Sequence, residues 1–223
     1  MPTFVVRLWL PDRPGALGAV ASRIGAVRGD LIAIDILERG AGRAIDELVV
    51  ELPSDSVVPL LVKELHEVDG IDVEEVRPVP LPGRPDPRLA ALETAADVVA
   101  QRTPADVLRV LAARAARDFE AGWVAVTDVE TSSVVASVGE TPPDAWVVAF
   151  AAGAANAAAA GSATGDVACA SFEHGPISVV LGRPGRPLRA LERRQLAALG
   201  VIAEARWSEL GRRHALAAHP SAV

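Results

Sequence analysis

Several residue types are scarce in this chain of 223 residues, and each scarcity excludes a class of protein. There is one cysteine, Cys169, so an internal disulfide and a zinc site built from several cysteines are both excluded. The most apolar segment, residues 145–160, is shorter than the ~20 residues that span a bilayer and contains Asn156, so we expect no membrane segment. Acidic residues outnumber basic ones by 29 to 22, and the resulting net charge of −7 argues against nucleic-acid binding.

Signals for secretion, metals and cofactors are missing as well. Arg7 interrupts the apolar N-terminus, which lacks a basic region followed by an apolar one, so we expect a cytoplasmic protein. The four histidines do not form the HExxH spacing that places two imidazoles on one helix face. No Walker loop and no nucleophile-elbow motif is present. The sequence therefore predicts no catalytic residues, no metal site and no cofactor.

A proline-rich joint divides the chain. Five of the eleven residues from 77 to 87 are proline, which lacks a backbone donor and disfavours helix in the residue before it. We therefore predict a domain over residues 1–78, an extended linker over 79–86 and a second domain over 87–213. Residues 214–223 are expected to form a flexible tail.

The first segment has a readable order of elements. Phe4, Val6 and Leu8 alternate with Arg7 and Trp9, which predicts a strand. Apolar residues then recur at helical spacing after the turn Pro14–Gly15. The same analysis predicts strands over 31–37, 44–52 and 71–76 and a second helix over 58–68. The order β-α-β-β-α-β predicts a ferredoxin-like α+β fold, with helices on one face of a four-stranded sheet.

The other face of that sheet is expected to be apolar enough to pair with a second copy of the chain. The residues that would form it are Val5, Trp9, Ile34 and Val49.

The string LPDRPGALGAVASRIGAVRGDLIAIDI, residues 10–36, resembles the opening of an ACT domain. Such domains have a strand, an Asp-x-Pro-Gly-x-Leu turn, a helix and a second strand, and the resemblance covers residues 3–78. ACT domains are sensing modules, most often for amino acids, and usually work as pairs. The resemblance implies a ligand site between the first loop of one copy and the turn before the second strand of a neighbouring copy. Its residues would be Asp12, Arg13, Pro14, Gly15, Ala16, Leu17, Asp30, Leu31 and Ile32.

The residues of that site have properties that suit a small ligand with an amino-acid headgroup. Gly15 lets a ligand approach the backbone closely, and the N-terminus of the following helix suits a carboxylate. Asp12 would hold an ammonium group or, alternatively, cap the helix. Position 30 is Asp where the family often has Asn, and an acid there repels a nearby carboxylate.

The second segment resembles a GAF-type sensor domain over residues 87–213, most clearly in ISVVLGRPGRPLRALERRQLAALGVIAEA, residues 177–205. The residues themselves predict two helices, a hairpin, an Ala-rich helix, two further strands and a long terminal helix over 188–213. The first of these helices carries an apolar stripe formed by Leu89, Leu92, Ala96 and Val99. The resemblance implies a compact antiparallel sheet flanked by helices, and dimer contacts through residues 89–99 and 191–207.

Two features of the second segment have both a functional and a structural interpretation. Cys169 is a redox-active or catalytic thiol, or a small buried hydrophobe. The arginine cluster around residues 183–194 contacts an anion or a partner, or forms a solvated turn near Glu192. The structural interpretation is favoured for both.

Together these observations predict a non-catalytic regulatory protein. It would bind a small molecule, an amino acid in the first instance, at the ACT-like loops, and signal through homodimer geometry to a separate partner. One alternative is a regulatory subunit that docks on a metabolic enzyme. Another is a redox sensor or small enzyme that depends on Cys169.

Overall fold

The computed structural model describes residues 1–79, 86–157 and 165–218. The chain separates into two compact units, Met1–Pro85 and Asp86–Val223. Most of the predicted linker, residues 80–85, lies outside the described residues, as does the end of the predicted tail, residues 219–223. None of the helices in these ranges combines the length and the low charge that crossing a membrane requires.

The first unit has the predicted order of elements. Its sheet is antiparallel throughout, with the strand order β2-β3-β1-β4. A short 3₁₀ turn, Asp55–Val57, precedes the second helix. The ferredoxin-like βαββαβ fold is thereby confirmed. The elements are β1 Thr3–Pro11, α1 Ala16–Ala26, β2 Asp30–Gly40, β3 Arg43–Glu51, α2 Val58–His66 and β4 Asp72–Pro78.

The core of this unit lies between the sheet and the two helices. Alternate residues of β1 face it, as the period-two pattern predicted. Side chains from α1 and α2 close the layer at helical spacing. The largest contributors are Phe4, Val6, Leu8, Val20, Ile24, Leu48, Leu61 and Leu65.

The opposite face of the sheet contains a buried ion pair. Arg7 and Glu47 are directly opposed on β1 and β3, and each is only 2% exposed. The guanidinium donates from Nη2 and Nε to Glu47 Oε2, at 2.8 and 3.2 Å. Arg77 on β4 lies 3.9 Å from the same carboxylate oxygen. The face of the sheet that was predicted to be apolar therefore has a buried ion pair at its centre.

Strand β2 departs from the predicted pattern because its register against β3 shifts twice. The first shift, between Leu31 and Ala33, places Ile34 opposite Leu48, whose side chain faces the helices. A bulge of this kind inserts one residue and exchanges the two faces of the strand beyond it. The prediction that Ile34 joins Val5 on the other face is therefore wrong.

The second unit contains four helices and a four-stranded antiparallel sheet of order β6-β5-β8-β7 in its described part. Asp86 and Thr103 accept backbone N–H bonds at the starts of its first two helices. The last helix continues five residues beyond the predicted end at 213, through a run of good helix formers. The elements are α3 Pro87–Val99, α4 Pro104–Asp118, β5 Trp123–Asp128, β6 Ser133–Gly139, α5 Asp144–Ala157, β7 Val167–Ser171, β8 Ile177–Gly182 and α6 Ala190–Ala218.

Both faces of this sheet are covered. Helices α3, α4 and α6 pack on one face, against side chains such as Val124 and Leu181. Helix α5 packs on the other, where Val147 meets Trp123. The indole of Trp123 lies over Gly182, where a Cβ would come within 2.3 Å of the ring. Glycine at this position therefore allows the tryptophan to lie flat on the sheet. This is the predicted arrangement of an antiparallel sheet flanked by helices.

The apolar stripe of α3 does not enter this core. Leu89, Leu92 and Val99 are 50% or more exposed, and the buried face is formed by Thr94 and Val98. Polar contacts hold the helix in this orientation, because the hydroxyl of Thr94 donates to the Asp118 carboxylate on α4 and accepts from an Arg117 N–H. Helix α3 thus presents leucines to the surface.

We expect Arg7→Met to destabilise the first unit by about 3–5 kcal/mol, because it leaves the buried Glu47 carboxylate without its nearest countercharge. Arg23→Met is the matched control. The Arg23–Glu64 pair has a similar length, 2.9 Å, but is partly exposed, so its loss should cost less than ~1 kcal/mol. Amide hydrogen exchange in β1 and β3 reports the stability of this unit. Equal losses of stability in the two variants would contradict the claim that the buried Arg7–Glu47 pair matters more than an exposed one.

Candidate functional site

The β1–α1 loop is an exposed turn with defined backbone geometry. Residues 12–15 are all exposed at the surface. The Asp12 N–H donates to the Gly42 carbonyl at 2.9 Å, which ties the loop to the β2–β3 hairpin. Gly15 has φ of +88°, the left-handed region in which a side chain is strained. The glycine predicted for ligand approach is therefore also required by the backbone.

The N-terminus of α1 is not capped by a side chain. The prediction left open whether Asp12 caps the helix or remains available for a ligand. Its carboxylate lies 3.9 Å from Arg39 Nε, and both side chains are substantially exposed. Helix α1 therefore begins with N–H groups that no side chain satisfies, beside an acidic group at the surface.

Within one chain, the two predicted halves of the site lie at opposite ends of the sheet. Pro11, just before the loop, pairs with Arg43 on β3, whereas Asp30 pairs with Glu51. These β3 partners are eight residues apart, or about 26 Å of strand. Asp12–Leu17 form one group, and Asp30–Ile32 form a separate one. A site that uses both requires residues from a second copy, as the ACT resemblance implied.

Strand β2 lies at an edge of the described sheet and exposes apolar side chains. Ile32, Ile34 and Ile36 are 52%, 40% and 39% exposed. A long apolar edge strand with unpaired backbone groups is a template for pairing with another strand. This edge, rather than the sheet face with the Arg7–Glu47 pair, offers the apolar surface of the first unit.

A second acidic group lies beneath the loop and was missed by the sequence analysis. Asp46 is 3% exposed, and its Oδ1 has no hydrogen-bond partner among the described residues. Burial raises the pKa of this carboxyl, Arg39 lowers it and Asp12 raises it. The alternation of β3 predicts that position 46 faces the helices. An acidic residue on this otherwise apolar face is the feature of the sequence that could have identified Asp46.

In the second unit, the arginine cluster is structural. Arg183 is buried, donates to the carbonyls of Phe119, Arg186 and Pro187, and pairs with Glu192 at 2.7 Å. Arg193 donates to three further backbone carbonyls, and Arg186 pairs with Glu120. A guanidinium group has five N–H donors, so one arginine can hold several backbone carbonyls in place at once. These three arginines stabilise the turn, and Arg183 lies beside Glu192 as expected, but it is buried rather than solvated.

The thiol of Cys169 is poorly suited to nucleophilic chemistry. Burial raises its pKa from 9.0 to about 11, which lowers the thiolate fraction at neutral pH by about a hundredfold. Its side chain contacts the Ser171 hydroxyl at 4.0 Å and packs on the core beneath α5. Within the described residues, no group of three His, Cys, Asp or Glu side chains is arranged to hold a metal ion.

No protein-family model and no curated protein matches the sequence. Solved structures do match. One is the ACT domain of the GTP pyrophosphokinase of Chlorobium tepidum, with 15% identity and a TM-score of 0.29 over 35% of this chain and 100% of that one. Another is the GAF domain of the Acinetobacter phosphoenolpyruvate-protein phosphotransferase, with 9% identity and a TM-score of 0.42 over 58% of this chain and 97% of that one.

A third similar structure, a candidate glycine cleavage system transcriptional repressor, aligns with 94% of this chain and 92% of its own, at 10% identity and a TM-score of 0.32. The solved structures that this chain is similar to thus include an ACT domain and a GAF domain, the two families that the sequence resembles. The α+β fold rests on the strand orders described above.

We expect Asp46→Asn to raise the free energy of unfolding at pH 7 by about 1–3 kcal/mol, because it removes a buried charge that lacks a hydrogen-bond partner. The folded pKa is raised, so ionisation costs stability as the pH rises through that value. The advantage of the variant should therefore be largest at neutral pH and shrink on acidification, as the wild-type carboxyl protonates.

Thermal unfolding of both proteins between pH 4 and pH 8 measures this difference. Asp12→Asn, an exposed carboxylate in the same cluster, is the control and should change the melting temperature little. An advantage for Asp46→Asn that did not vary with pH would show that the charge of Asp46 is not its cause.

Proposed function

We propose that this protein is a non-catalytic regulator that binds a small molecule with an amino-acid headgroup at the β1–α1 loop. The observation that carries the proposal is the uncapped N-terminus of α1 beside the exposed Asp12 carboxylate. Unsatisfied N–H groups at a helix start bind a carboxylate, and an acidic side chain binds an ammonium group. The DRPGxL motif of the ACT resemblance supports the same location.

The ligand site is completed by a second copy of the chain. Antiparallel pairing of two β2 strands along their exposed edges brings the start of one strand to the end of the other. Asp30–Ile32 of one copy then approach the β1–α1 loop of the next. Because the ligand contacts both copies, it stabilises the paired state and shifts the equilibrium towards it. This change in dimer geometry is the signal that a separate partner reads.

The Cys169 alternative loses support, because a thiol with a pKa of about 11 is protonated at neutral pH. A regulatory subunit that docks on a metabolic enzyme remains as the second candidate. It is favoured by the exposed leucines of α3, an apolar surface in the second unit. This candidate needs no ligand and is distinguished from the sensor by the measurement below.

We expect at least one of the twenty amino acids to raise the melting temperature of the protein. A ligand that binds only the folded state stabilises it by about 2.7 kcal/mol at a hundredfold excess over its dissociation constant. Gly15→Ala should abolish the response, because a side chain at φ of +88° strains the loop. Gly25→Ala is the matched control, since the added Cβ meets open space in the last turn of the same helix, away from the N–H groups at its start.

If no amino acid changes the melting temperature of the wild-type protein, the sensor proposal fails and the docking subunit becomes the better candidate. If Gly15→Ala and Gly25→Ala respond alike, the ligand binds elsewhere than the β1–α1 loop.

We expect Ile34→Glu to disrupt the dimer, because two-fold pairing would bury two unpaired carboxylates at the β2 edge. The dissociation constant should rise by about a hundredfold or more, which corresponds to ~2.7 kcal/mol. Light scattering after size-exclusion chromatography measures it. Leu60→Glu, at a similarly exposed leucine on α2, should leave the mass unchanged. A dimer that survives Ile34→Glu but dissociates with Leu92→Glu would assign the contact to α3 instead.

A further inference from the structure

We propose that Asp46 is the counter-ion for the ligand's ammonium group, so that ligands of this protein carry a primary amine bound from below the β1–α1 loop. The inference rests on the proposed function and deepens it, because it assigns the amine recognition to a residue on β3 that the loop motif does not include.

The first observation is that one oxygen of the buried Asp46 carboxylate has no hydrogen-bond partner among the described residues. The side chain of Asp46 is 97% shielded from solvent, and the oxygen in question is Oδ1. A buried carboxylate without a partner costs stability, and an apolar side chain would suit this face better. The neighbouring Glu47 shows the contrast, since its buried carboxylate is held by Arg7 at 2.8 Å.

The second observation is the location of Asp46 below the loop. On β3 it lies two residues from Ala44, whose Cα partners are Leu10 and Arg39, next to the loop and the hairpin. Two residues of strand correspond to ~7 Å. The charged residues that act on Asp46 are Arg39 and Asp12, and both reach the surface. The buried oxygen therefore belongs to the same cluster as the loop carboxylate.

The third observation is the charge of this cluster. Two carboxylates, Asp12 and Asp46, face one guanidinium, so the cluster has an excess negative charge. Arg39 makes no hydrogen bond to Asp46 and lies 3.9 Å from Asp12. A single added positive charge would neutralise the cluster. A calcium ion needs six to eight oxygen ligands, whereas an ammonium group needs three acceptors and is satisfied by carboxylates.

The geometry also gives the ligand a direction. The ammonium group is drawn to Asp46 on the sheet and Asp12 in the loop above it, and a carboxylate is drawn to the N–H groups at the start of α1. An amino acid satisfies both ends at once. An amine without a carboxylate satisfies only the sheet end and should bind more weakly.

The test compares three sets of probes: the twenty L-amino acids, their N-acetyl derivatives, and the carboxylate-free amines ethanolamine and putrescine. Binding to the full chain is measured by thermal shift and by calorimetry. We expect the amino acid that binds the wild type to lose at least a hundredfold in affinity on Asp46→Asn. Its N-acetyl derivative should not bind the wild type, because acetylation removes the positive charge.

Asp35→Asn is the matched control. It makes the same change on the neighbouring strand, at a position that pairs with Glu47 and so lies on the opposite face of the sheet. This variant should keep the wild-type affinity. Asp46→Asn should remain folded, because it loses a buried charge, and the acetylated probe tests the same contact without any variant.

Each outcome decides between the two claims. Equal amino-acid affinity for wild type and Asp46→Asn, or full binding of the acetylated probe, would overturn the role of Asp46 and leave the proposed function standing. Binding of amines alone, lost in Asp46→Asn, would support Asp46 and overturn the amino-acid ligand. Binding of neither amines nor amino acids to the wild type would overturn both.

Discussion

The pairing of Arg7 with Glu47 sets the register on which the first unit depends. The two residues are opposed on neighbouring strands, and both charges are buried, so a slip of one residue would turn one of them to the opposite face of the sheet, away from the other. Side chains alternate along a strand, and holding Glu47 on one face commits Asp46 to the other. Two consecutive acids are thus buried on opposite faces, one paired and one with an unsatisfied oxygen.

The same register separates the two halves of the proposed ligand site. With β1 and β2 both antiparallel to β3, the β1–α1 loop and the start of β2 must lie at opposite ends of the sheet. Loop mobility cannot close a gap of about 26 Å along paired strands. The exposed isoleucines of β2 lie between the two halves, along the edge at which a second copy would bring them together.

Local chemistry was the part of the fold that the sequence predicted well. The alternation of β1 and the order of elements both depend on near neighbours in the chain. Two features were not predicted because they depend on partners far away in the sequence. The bulge in β2 places Ile34 opposite Leu48, and the contact with Asp118 on α4 turns the apolar stripe of α3 to the surface. For the candidate site, the loop motif located Asp12 and Gly15. The sequence analysis missed Asp46, although the alternation of β3 placed an acid on an apolar face, and its burial and unpartnered oxygen revealed it.

Asp46 also suggests how binding of a small ligand would shift the equilibrium between two states of the protein. A ligand shifts an equilibrium only by the difference in its affinity for two states. A buried carboxylate without a partner supplies that difference, because an ammonium group satisfies it only where the strand register and the loop are both in place. In the proposed sensor, the hydrogen bond from the Asp12 N–H to the Gly42 carbonyl links the loop to the hairpin at the end of β2, the strand at the proposed dimer edge. In the proposed sensor, the free energy that it costs to bury Asp46 is the free energy that the ligand recovers on binding.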